Sequence, residues 1–453
     1  METPWQPIVD GELRRRAVDT IHEIVAELAE PAEELGGELA QGSAGIALLH
    51  AYMAMDNELG RDEHVAMTER YIEHAIDQVA ETPMREALIG GFSGVCWAIE
   101  HIQRRFDEAA GPTDDDGDSG ADDGDINSEA DDGESSDDDD GDINSDIDPV
   151  LLDLVKTSPW LRDYDLISGL VGIGIYALER LPRASARACL VEILDRLDES
   201  ARSDEQGIAW HTAPELLPPH QRVEYPEGYY NLGLAHGIPG ILGLLGQMCA
   251  ADVERERARA MLADGLSWLL ARQLPAGRES RFSWAYYPGI EDHYSRLAWC
   301  YGDPGVAVAL QVADAASDHG ADKLDLSGHA LRLMLSAAQR PDELTRVIDT
   351  GLCHGSAGLA HLYNRMYQVS GAPELRAAAR KWIEWTLQAR EPGPGVRFKT
   401  LLERLPPGTE PAEGRGFLTG MAGVALVLLA AVGEVRPDWD RCLMISGRAT
   451  RTR

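Results

Sequence analysis

The chain has 453 residues, enough for one large domain or two to three ordinary ones, and its 44 % hydrophobic and 26 % charged residues suit a folded soluble protein. A formal net charge of −36 and only four lysines exclude a nucleic-acid surface built from clustered cations. No apolar run reaches the ~18 residues of a membrane span, and no apolar export segment opens the chain, so a cytoplasmic protein with reduced cysteines is expected.

In chain order, one unit recurs: Gly-x-x-Gly followed by an apolar run. It stands at Gly42–Gly45, Gly91–Gly94, Gly169–Gly172, Gly237–Gly240, Gly302–Gly305, Gly355–Gly358 and Gly420–Gly423. Each run, such as Ile46-Ala-Leu-Leu, is apolar on most faces, which marks a buried helix. Between the runs lie amphipathic segments: Ala17–Ala29, His64–Val79, Ala184–Leu197, Arg255–Arg272, His329–Ala338 and Leu375–Ala389. Seven such alternations predict an all-α fold, an α/α toroid of seven helix pairs in which the buried helices form an inner barrel and the amphipathic ones an outer barrel. The glycines are read as packing residues at the starts of the inner helices. Residues 1–453 are expected to make a single domain.

Between repeats two and three lies Asp114–Asp148, with 18 acids and no Lys or Arg; without it the formal charge is still −18. Its composition cannot support a packed core, so it is expected to be a disordered insertion.

The residues before the glycines carry the chemistry. Repeats three to six offer Asp165, His236, Cys300, and Cys353 with His354. If the repeats stack as a ring, these loops share one end, and the five side chains converge on one mouth. A lone cysteine in such a place is ordinarily a small buried hydrophobe. Cys300, Cys353 and His354 at equivalent repeat positions are instead a plausible zinc set, leaving a fourth coordination position open. His236 reads as a general acid or base, with Asp165 to orient it. Arg296 lies four positions before Cys300 and shares its face only if that loop is helical.

Ala235-His-Gly-Ile-Pro-Gly240, Ser295-Arg-Leu-Ala-Trp-Cys-Tyr-Gly-Asp-Pro-Gly305 and Cys353-His-Gly-Ser-Ala-Gly358 together resemble the signature blocks of the lanthionine synthetase C-like family. The likeness runs from about Gln41 to Leu429. It implies an α/α toroid and a lanthionine cyclase, which adds peptide cysteine thiols to dehydroalanine or dehydrobutyrine. It implies Zn2+ on Cys300, Cys353 and His354, an acid/base role for His236 beside Asp165, and active-site positions for Arg296, Trp299 and Tyr301. The partners it implies are a dehydrated precursor peptide, a separate dehydratase and an export transporter, through which the enzyme would reach the membrane. Two alternatives stay open: a family member that adds glutathione or another non-peptide thiol, and a different α/α-toroid zinc enzyme. The acidic insertion is not part of the family pattern.

Overall fold

Helix α1 (Gly11–Glu27) precedes the first repeat, which forms α2 (Ser43–Met55) and α3 (Arg61–Glu81). Next come α4 (Phe92–Ala110), the short α5 (Ile147–Val155), α6 (Leu170–Arg180) and α7 (Ala184–Ser200). Two small hairpins interrupt the helices. One pairs β1 (Ala201–Asp204) with β2 (Gly207–Trp210), in the register Ala201 opposite Trp210. After α8 (Pro219–Glu224), strand β3 (Tyr230–Asn231) runs antiparallel to β4 (Ala285–Tyr286), which follows α9 (Ile238–Ala250) and α10 (Arg255–Leu270). The chain continues through α11 (Asp303–Ala313), α12 (Leu326–Ala338), α13 (Asp342–Thr345), α14 (Ser356–Ser370), α15 (Pro373–Gln388) and α16 (Met421–Val432). This computed structural model describes residues 4–32, 34–56, 61–110, 142–287, 289, 294–316, 325–390, 396, 398 and 414–448.

The expected double ring is present. Helices α2, α4, α6, α9, α11, α14 and α16 each pack on the next, and α16 returns to α2 to close the inner barrel. Their apolar runs are buried all round; α16 is enclosed from Ala422 to Val432. Helices α3, α7, α10, α12 and α15 each cover the inner helix before them, while α1, from the far end of the sequence, covers α16. The second repeat departs from this scheme: among the described residues its outer layer is only the nine-residue α5, which packs against α7.

The repeated glycines have a steric cause. At the second glycine of every pair, a Cβ would lie 1.8–2.7 Å from the carbonyl oxygen six residues earlier, on Leu39, Leu88, Leu166, Leu234, Trp299, Leu352 and Phe417 in turn. Each loop folds back onto its own helix start, and any side chain would push it off. Gly302 has the further constraint of a φ of 93°, which favours glycine.

Of the acidic segment expected to be a disordered insertion, residues 114–141 lie outside the described residues, while Asp142–Asp148 pack against the fold. Arg180, fully buried on α6, donates to both oxygens of Asp142, at 2.7 and 2.6 Å, and to Asp148 at 2.8 Å. Asn144 donates to the Cys96 carbonyl at 3.0 Å. Composition could not separate these acids from their neighbours, because their buried partner is 32 to 38 residues away.

After α16 the chain turns into the barrel. A 3-10 turn spans Asp438–Leu443, and Cys442, Leu443 and Met444 are completely buried. Asp440 anchors it through His361, at 2.7 Å, and Arg365, at 2.6 Å. The Leu443 carbonyl accepts the Trp299 indole N–H at 2.7 Å.

Candidate active site and metal centre

Seven backbone hydrogen bonds run round the mouth from loop to loop. Ala40 N–H donates to Ile89, Ile89 to Ile167, Leu166 to Ala235, Ala235 to Cys300, Cys300 to Cys353, Cys353 to Leu418, and Leu418 back to Ala40, at 2.8–3.3 Å. The carbonyls of this circle all stand two residues before the first glycine of their repeat. Cys300 and Cys353, 53 positions apart in sequence, are therefore adjacent links joined backbone to backbone at 3.3 Å. The next position in each loop brings His236, Tyr301 and His354 to the same rim. The convergence expected from the repeats is present, and the ladder is its cause.

The two thiols act on each other. The neighbouring Cys353 lowers the Cys300 pKa to about 7 against the cost of burial; the charges of His354, His236 and Arg296 assist. Cys353 is pushed up by Cys300 and by burial. His354 turns Nδ1 to Asp349 Oδ2 at 2.7 Å. Burial opposes charging that imidazole, but the Asp349 bond and charge prevail and raise its pKa. Asp349 is buried, and its other oxygen accepts the Gly351 amide at 3.0 Å.

His236 forms the second dyad, its Nδ1 2.6 Å from Asp165 Oδ2. Burial works against its protonation, while the hydrogen bond and charge of Asp165 outweigh that and raise its pKa. The imidazole is still 42 % exposed to the mouth, so solvent tempers this effect. Its face stacks on Tyr301, with centroids 6.1 Å apart. Asn231 Nδ2 donates to the Tyr301 hydroxyl at 3.1 Å, and burial pushes the Tyr301 pKa up.

Two cavities flank Tyr301. One, of about 250 Å³, is lined by Asp163, Asp165, Thr212 and His236 among others. The other, of about 530 Å³, includes Tyr225, Trp284, Arg296 and Arg346. Arg296 reaches the site from a segment that is not helical. Ser295 is pinned beside it: its carbonyl accepts Arg340 at 2.9 Å, and Arg340 pairs with Asp303 at 2.8 Å. Trp299 lines neither cavity; it is buried, with its indole N–H bonded to the Leu443 carbonyl.

The sequence reading did not single out Asp349 or Asn231. A signal for them exists: both stand six residues before the first glycine of their repeat, as do Asp163 and Arg296. The polar line at that position becomes visible only once the loops are aligned on their glycines.

The family profile of lanthionine synthetase C-like proteins matches residues 33–444. The chain belongs to the lanthionine synthetase C-like family. It is 24 % identical over 281 residues to nisin biosynthesis protein NisC of Lactococcus lactis subsp. lactis. That match takes in 59 % of this chain and 60 % of the relative's length. The solved structure of a nisin cyclase superposes over 96 % of this chain and 98 % of its own, with a TM-score of 0.68 and 19 % identity, a likeness of fold. No described helix of this family member is long and apolar enough to cross a membrane.

No three His, Cys, Asp or Glu side chains among the described residues stand as a ready-made cage. The donor chemistry nevertheless fits zinc. Two cysteines on adjacent loops, one inclined to ionise near neutrality, stand beside an imidazole whose Nδ1 is held by a buried carboxylate, which leaves Nε2 free of that bond.

Proposed function

We propose that this chain is a zinc-dependent lanthionine cyclase. The observation that carries the proposal is the pairing, on one hydrogen-bonded rim, of a Cys300–Cys353–His354 donor set with a separate His236–Asp165 dyad. The names of the nisin relatives support the reaction class.

Cys300, Cys353 and His354 would hold the ion, which when bound supplies the charge that keeps a peptide thiol deprotonated at neutral pH. In the reaction the peptide thiolate forms a carbon–sulfur bond to the β-carbon of a dehydrated residue. The π electrons move toward the neighbouring carbonyl, and the α-carbon then takes a proton. His236 is the group that donates it: its pKa is raised, and Asp165 fixes Nδ1, so Nε2 is the exchanging atom. Tyr301 holds the imidazole plane by stacking, and Asn231 fixes the tyrosine. Arg296 places a positive charge near both cysteines, offsetting the negative charge that gathers there. The substrate is a peptide whose serines and threonines have already lost water, so a dehydratase acts first; an exporter follows.

The test is incubation with a dehydrated, cysteine-containing peptide, then alkylation of free thiols and mass measurement. Cyclisation leaves the peptide mass unchanged and protects the thiols. Zinc is counted in the same preparations, in the wild type and in Cys353→Ala. Fully alkylated peptide, or equal zinc in both proteins, would overturn the proposal.

A further inference from the structure

The larger cavity beside the site carries more positive charge than the cyclase reaction uses. It holds two guanidiniums, Arg296 and Arg346, in a protein whose acids outnumber its bases 77 to 41. Several other arginines are met by carboxylates, as the buried Arg180 is by Asp142 and Arg365 by Asp440; Arg296 is half-buried and Arg346 exposed at the cavity. Neither Arg296 nor Arg346 has a carboxylate partner among the described residues. The cavity's own acid, Glu224, accepts the Tyr225 hydroxyl at 2.7 Å.

Arg346 is also held in place. Its guanidinium lies 3.6 Å from the Tyr294 ring centroid, a cation–π contact that keeps a long side chain from roaming while leaving its donors free. Its φ of 59° is costly for a residue with a side chain. Arg296, on the same wall, is close enough for its charge to act on Cys300, Cys353 and His354.

From these observations we infer that the cavity between Arg296 and Arg346 is a carboxylate-binding subsite, which anchors an acidic side chain or the C-terminal carboxylate of the peptide being cyclised. The inference rests on the cyclase reading and adds to it the recognition of a charged group. A planar guanidinium matches a carboxylate with two parallel hydrogen bonds. The aromatic walls, Tyr225 and Trp284, suit the apolar chain around it. With a net charge of −36 the protein as a whole disfavours an anionic peptide, so a positive pocket at the mouth would concentrate it there.

The experiment uses a dehydrated peptide with serine in place of each cysteine, which binds without reacting. It is made in four forms, with one Glu or Gln near the ring position and with a C-terminal acid or amide. Binding to the full-length zinc-loaded protein is measured by calorimetry at low salt. Neutralising the recognised carboxylate should weaken binding to the wild type about tenfold, and the arm that shows the loss identifies the source. Arg346→Gln should bind all forms alike, with unchanged zinc content and melting temperature, while Arg346→Lys should keep part of the preference. Rising salt should erode the wild-type preference. Equal binding of all four peptides by the wild type, or a preference kept by Arg346→Gln, overturns the subsite and leaves the cyclase reading standing. A protein that binds none of the four overturns both.

Discussion

Asp349 holds His354 by one oxygen, 2.7 Å from Nδ1, and its own loop by the other, 3.0 Å from the Gly351 amide. The carboxylate therefore fixes both the tautomer of the imidazole and the turn that carries it. Removing such a partner typically costs 10- to 100-fold in metal affinity. Asp349→Ala is expected to weaken zinc binding by about that factor, read by competition with a chromogenic chelator. An unchanged affinity would show that His354 is not a ligand or that its orientation is set elsewhere.

His236 stands beside the donor set and outside it. His236→Ala should keep its zinc and its fold while cyclisation slows by about 10² to 10⁴-fold. Asp165→Asn should fall between the variant and the wild type, because it loosens the imidazole without removing it. Thiol-alkylation time courses and metal counts on the same samples decide the matter. Loss of zinc in His236→Ala would mean that the donor set has been misassigned.

The two parts of the acidic segment should respond differently to deletion. Removing residues 114–140 is expected to leave stability and cyclisation nearly unchanged, since loop-closure entropy changes by only about 0.6 kcal/mol per doubling of length. Extending the deletion through Asp148 strips two of the three carboxylates from Arg180, leaving Glu100 at 2.7 Å. A buried charge short of its partners costs about 3–5 kcal/mol, so the longer deletion should lower the urea midpoint sharply. Equal midpoints for the two deletions would refute the structural role of Asp142 and Asp148.

Acid should destabilise the protein earlier than carboxylate titration alone would. His50 is buried on α2, with Nε2 3.0 Å from the Leu28 carbonyl and Nδ1 3.0 Å from His64 Nδ1. Burial pushes its pKa down to about 4, although the Leu28 carbonyl pulls the other way. Below about pH 6.5 the unfolded chain takes up a proton that the folded chain refuses until about pH 4. Stability is thus full above that window and falls as pH drops through it, by up to about 1.4 kcal/mol per pH unit. His101 and His361, also buried and lowered, add in the same direction. Glu179 and Asp440 are held below the usual carboxylate range, and the stability they contribute is lost only at still lower pH. Thermal midpoints between pH 7 and 4.5 should fall steadily, and His50→Gln should flatten the decline. A flat wild-type profile across that range would count against the assignment.

The periodic part of this protein is legible along the chain alone. Seven glycine pairs before apolar runs specify seven buried helices, because helix burial follows local hydrophobicity and the glycines answer a clash with a carbonyl only six residues away. The ring also followed, and with it the meeting of Asp165, His236, Cys300, Cys353 and His354, since equivalent loops of a closed repeat share one end. Features that depend on partners distant in the chain emerge only in the folded molecule. That α1 completes the last repeat, that Asp142 and Asp148 serve Arg180, and that Trp299 rests on Leu443 are contacts between residues 32 to several hundred positions apart, carrying no local period. Asp349 lay between these cases: it occupies a repeat-equivalent position, but a buried carboxylate becomes a partner for His354 only when the turn brings the two within hydrogen-bonding distance.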